Sequence, residues 1–324
     1  MNILLVPDPT SPNGEDAFCR EIAARAPARG HSCATRAACA GSLEVDAVVV
    51  NSLQIASLLA ARAAKVPTVL RLVDSYVGAA PETVAAARAY ALACERVLVP
   101  SAYLKRIVVS WGAAPERVGV VPYAYDHIFA QQIALVTMRA ARPSSFGLVT
   151  AGVVDAPNLP GFETVLSAVS RLRLDCHLAV IGDGPALNAL KARAHGLMLD
   201  ASVTFLGELP HPKIMEYLRA AKAYIEPSGL QGFPSLALHA LSEGCPVVGV
   251  AAGCVPELVT EGENGLLFRS GDANALAEQI QTLASTPGLS LKLIAAGVRT
   301  VEDRSWDATV SAVLDAVESL EVRR

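Results

Sequence analysis

Short apolar runs alternate with longer alanine-rich segments along most of the chain. "NILLV" (2–6), "DAVVVN" (46–51), "PTVLRLVD" (67–74), "RVLVPS" (96–101) and "VGVVPY" (118–123) have the length and branching of buried strands. Between them lie segments with helical spacing: "FCREIAARAPARGHS" (18–32), "SLQIASLLAARAAK" (52–65), "TVAAARAYALACE" (83–95) and "AYLKRIVVSWG" (102–112). Gly30 is placed to close the first helix, and Ser52 to cap the second. The strands are apolar throughout rather than alternating, which points to burial on both faces. Strand and helix in turn are the rhythm of βαβ units in a parallel sheet.

A second series of the same kind starts at "FGLVTAG" (146–152). It continues through a helix at 162–173, "CHLAVIGDGP" (176–185), a helix at 186–197, "SVTFLGEL" (202–209), a helix at 212–221 and "AYIEPS" (223–228). The strand rhythm lapses between the series, where proline and serine gather. The expected organisation is therefore a domain over 1–125, a linker over 126–145 and a domain over 146–305. A final amphipathic helix spans 306–320. No internal repeat or low-complexity tract is apparent.

Composition narrows the class. At 324 residues the length suits about two domains, and 52% hydrophobic with 18% charged residues allows large cores. A mean hydropathy of +0.38 comes largely from alanine, and no apolar run approaches the ~18 residues a membrane span needs. The first residues turn polar at once, so they read as a first strand rather than a signal peptide. A net charge of -4 offers no nucleic-acid footprint. Seven cysteines without a CxxC pair suggest buried thiols in a reducing, cytoplasmic setting, and no metal-ligand spacing is present. Lys105, Arg106, Trp111 and Arg117 sit on or beside one helix, which limits any membrane contact to a peripheral one. Packing of that helix by Ile107 and Val108 is the preferred reading. His31, His127, His177, His195 and His211 are scattered and read as structural or surface groups, His127 standing apart because it lies near the linker.

Four stretches carry candidate chemistry. "VIGDGPAL" (180–187) is a strand, a Gly-Asp-Gly-Pro turn and a helix start, which either holds an anion on backbone N–H groups or packs tightly. "EPSGLQGFPSLALHALSEGCPVV" (226–248) sets Pro234 in a first helical turn and Gly244 at the exit. Its Gly232–Phe233 turn falls at the carboxyl end of a strand, where open α/β sheets bind ligands. "VAAGCVPELVTEGENGLLF" (250–268) reads as a strand, a Gly turn, a short helix from Pro256 and a hairpin. "PTSPNGED" (9–16) is either a solvent loop or a place where Gly14 lets the backbone approach a ligand.

These motifs, in this order and spacing, resemble the GT4 group of GT-B glycosyltransferases (glycosyltransferase group 1). The resemblance is strongest over 176–283, through "GDGP", "FLGEL", "EPS", "QGFPSLALHALSEGCPVVGVAAGCVPELVTEGENGLLF" and "GDANALAEQI". It is weaker at "NILLVPDPTSPNGED", "VPSAYLKRI" and "VPYAYDHIF". The resemblance implies an α/β, GT-B fold: two Rossmann-like domains with parallel sheets facing across a cleft, the last helix crossing back to the N-terminal one. It implies transfer of a sugar from a nucleotide-diphosphate sugar, with retention, to a saccharide or other hydroxyl-bearing acceptor. The C-terminal domain would hold the donor and the N-terminal domain the acceptor. No tightly bound cofactor and no catalytic metal are implied; a protein partner or a homo-oligomer stays open.

Carried over residue by residue, the resemblance assigns Gln231 and Asp74 to catalysis. Gly14, Gly152, Gly182, Asp183, Gly184, Ser228, Gly232, Phe233, Pro234 and His239 are assigned to donor binding. The family's E-x7-E pair, of which the first carboxylate faces the sugar and the second holds the ribose diol, falls on Gln231 and His239. Its diphosphate-clamping Gly-Arg and Lys-Gly pairs read Gly152–Val153 and Pro160–Gly161. Its strand-end His-Asp reads Val73–Asp74, and its front Gly-Gly reads Asn13–Gly14. The shape-giving glycines and prolines persist while the charges are gone. Loss of one preorganised donor costs about 10²–10³-fold in rate, and a neutral hydrogen bond is weaker than a charge-assisted one. Two readings follow: a transferase with altered chemistry, or a non-catalytic relative kept as partner or scaffold of an active enzyme.

Overall fold

The computed structural model describes residues 1–7, 15–36, 44–51, 55–124, 146–302 and 304–320. The candidate Gly14, the Ser52 cap, His127 and the linker at 126–145 all lie outside these residues. The chain divides into two compact units, Met1–Asp126 with Arg304–Arg324, and His127–Asp303.

The first unit runs β1 (Asn2–Val6), α1 (Glu15–Arg25), β2 (Ser32–Thr35), β3 (Ala47–Asn51), α2 (Ile55–Ala63), β4 (Thr68–Arg71), α3 (Pro81–Ala93), β5 (Arg96–Val99), α4 (Ala102–Ser110) and β6 (Val118–Val120). The strands form one sheet in the order β2-β1-β3-β4-β5-β6, with every pairing parallel. Alternate residues of the apolar strands feed two cores. Leu4, Val6, Val48, Val50 and Leu70 pack on one face, and Ile3, Leu5, Ala47, Val49 and Val69 on the other. This double burial is why these strands read as continuous apolar runs.

The expected helix over 18–32 is shorter. It ends at Arg25, passes into a 3₁₀ turn over Ala26–Arg29, and closes at Gly30 in the left-handed conformation. The residues beyond form the edge strand β2. That strand is largely exposed and partly polar, so it lacks the apolar signature of its neighbours.

The last helix, α11 (Trp306–Glu318), belongs to this unit. Val310, Val313, Leu314 and Val317 join the second core. Arg25 reaches Asp307 at 2.7 Å, Arg29 reaches Asp315 at 2.7 Å, and His31 meets Glu318 at 2.7 Å. Such exposed pairs contribute little individually; the buried valines and leucine hold the helix.

The second unit runs β7 (Phe146–Ala151), α5 (Leu159–Val169), β8 (Cys176–Ile181), α6 (Leu187–Gly196), β9 (Val203–Gly207), α7 (His211–Ala220), β10 (Ala223–Glu226), α8 (Ser235–Ser242), β11 (Val247–Val250), β12 (Gly265–Phe268), α9 (Ala273–Ser285) and α10 (Leu289–Glu302). Its sheet order is β12-β11-β10-β7-β8-β9, again with parallel pairings. The order reverses direction at β7, so the loops after β7 and β10 lie at a topological switch point.

The expected hairpin at 250–268 is a crossover instead, since β12 pairs parallel with β11. The tight turn around Gly262 is real, with its N–H on Gly265 carbonyl, but it only redirects the chain into β12. Helix α10 fills a stretch the sequence pattern left unassigned. Among the described residues, no helix is long and apolar enough to cross a membrane.

Candidate functional site

Parallel strands put all their carboxyl ends on one edge of the second sheet. Six loops gather there, 152–158, 182–186, 208–210, 227–234, 251–254 and 269–272, and helices α5 to α9 begin from five of them. Helix N-termini present free N–H groups and a partial positive charge to whatever lies on that edge.

Two backbone contacts shape the edge. In the first, a Cβ placed on Gly182 would lie 1.9 Å from the Gly152 carbonyl oxygen, and the residue holds φ +129°. The Asp183 carbonyl accepts the Val154 N–H at 2.9 Å, and its carboxylate turns back onto the Gly184 N–H at 2.6 Å. The loop after β7 therefore rests on the Gly182–Asp183–Gly184 turn. In the second, a Cβ on Gly253 at φ +61° would lie 1.7 Å from the Gly229 carbonyl oxygen. The Cys254 thiol points at that same carbonyl. Only glycine fits at either crossing, because any side chain would collide with backbone that has nowhere to move.

The 227–234 loop leads into α8. Ser228 is buried, and its hydroxyl accepts the Leu230 N–H at 3.3 Å, a local turn bond. Gly232, Phe233 and Pro234 are buried behind it. Pro234 caps the helix rather than occupying its first turn; the helix begins at Ser235. Gly161, in the first turn of α5, lets that helix approach the Pro227 carbonyl. Gln231 is half-buried, and its side-chain oxygen is enclosed without a hydrogen-bond partner.

His239 sits on α8 with its ring centroid 4.8 Å from that of His211, in a T-shaped contact. Burial first, and the neighbouring imidazole second, lower its pKa to about 3, so it is neutral at ordinary pH. His211, the first residue of α7, is also lowered, by burial, with Glu243 opposing. Glu243 in turn holds Arg219 at 2.5 Å and joins α7 to the end of α8. The sequence reads His211 as a structural or surface group and gives no sign of its pairing with His239: 28 residues separate the two, and nothing in "LPHPKIMEYL" marks it.

Cations are scarce on this edge. The five loops after β7 to β11 contain no Lys or Arg, and the sixth, after the edge strand β12, carries Arg269. Val153, where the resemblance calls for Arg, is 60% exposed, and Pro160, where it calls for Lys, is exposed in the first turn of α5. Carboxylates stand on four of the six loops, as Asp155, Asp183, Glu208 and Asp272. An anion on the loops after β7 to β11 relies on their backbone N–H groups and helix ends.

Asp74, the other expected catalytic residue, belongs to the first unit. It is exposed beyond β4, where its carboxylate accepts the Tyr76 N–H at 3.1 Å. Close by in sequence, Arg71 is buried at the end of β4. It donates to Asn51 Oδ1 at 2.9 Å, and its guanidinium lies 4.2 Å from the Phe18 ring centroid and 5.8 Å from that of Tyr123. Among the described residues, no group of three or more His, Cys, Asp or Glu could hold a metal ion.

Two six-stranded parallel sheets, each wrapped by helices, with a Gly-lined carboxyl edge in the second, define a GT-B fold. Solved structures agree. Anabaena HepE in complex with UDP and glucose superposes with a TM-score of 0.80 at 17% identity, covering 98% of this chain and 100% of that one. Sucrose-phosphate synthase from Thermosynechococcus elongatus gives 0.79 at 18%, with full coverage of both chains. Residues 158–299 match the family of glycosyl transferases group 1, so the second unit is similar to that family and the whole chain shares the GT-B fold.

Among curated relatives, D-inositol 3-phosphate glycosyltransferase of Kribbella flavida is 29% identical over 224 residues, 65% of this chain and 53% of that protein. Sulfoquinovosyl transferase of Arabidopsis thaliana is 24% identical over 200 residues, 59% of this chain and 38% of that protein. The chain thus spans about half, or less, of the length of the curated relatives it matches.

Proposed function

We propose that the protein is a retaining glycosyltransferase that takes a sugar from a nucleotide-diphosphate sugar and passes it to a hydroxyl-bearing acceptor. The observation that carries this is the backbone frame of the second unit. Gly152, Gly182, Gly184, Gly229 and Gly253 bring four loops and the starts of α5, α6 and α8 to one sheet edge. Glycines at these crossings let the loops close on one another without side chains, which keeps backbone N–H groups on the edge available to a ligand. Gly232, Phe233 and Ser228 would place the donor, and Gln231 would hydrogen-bond a sugar hydroxyl through its unpartnered oxygen. Gly14 and Asp74 would serve from the first unit, which would carry the acceptor. The six described cysteines are all thiols, in keeping with a cytoplasmic location.

The ribose role falls less readily to His239. A neutral imidazole beside another imidazole offers one hydrogen bond where a carboxylate would accept two. That observation, with the absence of Lys and Arg from the loops after β7 to β11, favours a second reading: a non-catalytic relative that uses the frame to bind a ligand or a partner. Calorimetric titration with UDP, GDP, ADP and dTDP separates the two. Micromolar binding of one diphosphate, followed by slow hydrolysis of the matching sugar nucleotide, is the expected result for a transferase. Folded protein that binds none of them would overturn the transferase reading.

A further inference from the structure

The sequence carries one carboxyl group at the donor loop that the reading above does not use. Glu226 ends β10, directly before the loop, and is 2% exposed. Its side chain enters the core, not the sheet edge. Tyr224, two residues earlier and itself fully buried, donates its hydroxyl to Glu226 Oε2 at 3.2 Å, and the Ser228 amide also bonds to the carboxyl. Glu226 Oε1 is buried with no partner. Glu226 pairs with Gly249 in the sheet, and the Cys254 thiol stands close enough to feel its charge.

An ionised carboxylate in this position would have one oxygen satisfied and one stranded, with no cation among the groups that set its titration. A protonated one buries no charge and keeps both donors, the Tyr224 hydroxyl and the Ser228 amide. Burial drives the group that way, with pKa raised to about 8 against the opposing pull of the Tyr224 hydroxyl and the Ser228 amide. The titratable groups facing it are few. Tyr224 lies on its own strand, with Cys245 against it, and Cys254 lies on the loop after β11, with Glu257 beyond. On α8, His239 is set by burial and His211 and not by Glu226.

We propose that Glu226 is a positioning residue for the donor loop: its neutral form anchors residues 227–232 from the core side, and its ionisation releases them. Its effect on nucleotide binding rests on the donor-site reading given above. Its effect on the loop does not.

The test compares the wild type with Glu226→Gln, which holds the side chain neutral at every pH. Hydrogen exchange of the amides of 228–233, corrected for intrinsic rates, is followed from pH 6 to 9.5, alongside UDP titration. In the wild type, protection should fall by about tenfold or more as pH rises from 6 and level off near 8, and UDP affinity should fall with it. In Glu226→Gln both profiles should be flat. Equal slopes in the two proteins would overturn the proposal. If UDP binds neither protein at any pH, the donor reading fails, and exchange alone decides this one. Should Glu226→Gln not fold, Tyr224→Phe replaces it. Removing a hydroxyl that lowers the Glu226 pKa must move upward the pH at which the fall levels off, and an unmoved levelling point sinks the idea.

Discussion

The carboxyl edges of the two sheets are built alike and charged differently. On the first sheet, Arg71 lies buried at the end of β4, held by Asn51 and flanked by the Phe18 and Tyr123 rings. On the second, the five loops after β7 to β11 offer glycines, helix starts and carboxylates and no cation, and Arg269 stands apart on the loop after the edge strand β12. In one edge a charge is kept at the expense of a supporting polar and aromatic shell. In the other the shape is kept and the charge let go. Fold and chemistry are therefore separable in this chain: backbone crossings fix the architecture, and side chains decide what the edge can bind.

The sharpest way to break the comparison is to spoil the shape. Gly253→Ala sets a methyl group 1.7 Å from a backbone oxygen at a positive φ. Together, strain and collision should cost about 3–5 kcal/mol, enough to unfold much of the second unit, read as a lowered urea midpoint. A variant as stable as wild type would mean that the crossing is slack and the frame no evidence of a site.

The reverse experiment restores charge. Val153 is exposed, so Val153→Arg has room for its side chain. One charge-assisted bond is worth about 1.5–3 kcal/mol, so UDP should bind about tenfold to a hundredfold more tightly by calorimetry, with unchanged stability. No gain would place the diphosphate elsewhere, or remove it. On the first sheet, Asn51→Ala leaves the Arg71 Nη1 without that acceptor in a buried setting and should cost about 1–3 kcal/mol of unfolding free energy. A neutral result would show that the other contacts of Arg71 suffice, and the two edges would then differ less than they seem.

What could be read in advance follows the same division. Ten of the twelve strands announce themselves as apolar runs, and the parallel sheets follow from strand–helix alternation. The edge strand β2 does not, because its residues face solvent and carry no period. The parallel crossing of β12 was invisible too: a Gly turn before an apolar run looks the same whether the strand pairs back or crosses over. The site's glycines were legible because a positive φ restricts the residue type. Glu226 and His211 were not, since each owes its character to neighbours brought in from elsewhere in the fold. For Glu226 this is the core that buries it, and for His211 burial and the opposing Glu243.

Two buried groups of the second unit, His239 and Glu226, give a test of opposite signs. His239 is lowered to about 3, below its ordinary value, so the unfolded chain takes up the proton first as pH falls. Its contribution is complete above about 6.5 and is lost on the way down, near 1.4 kcal/mol per unit at most. Glu226 is raised to about 8, so its contribution is complete below about 4.5 and is lost as pH rises through 8. Between these limits the two slopes oppose each other, and stability of the second unit should vary little from pH 5 to 6. Substituting His239→Leu should uncover the Glu226 slope, with stability highest at low pH. The Glu226→Gln variant should uncover the His239 slope, together with that of His211, and move the optimum above pH 6.5. Urea midpoints measured at pH 4.5, 6 and 8 for the three proteins decide it. If both variants shift the optimum in the same direction, the two groups are not the opposed pair that their surroundings imply.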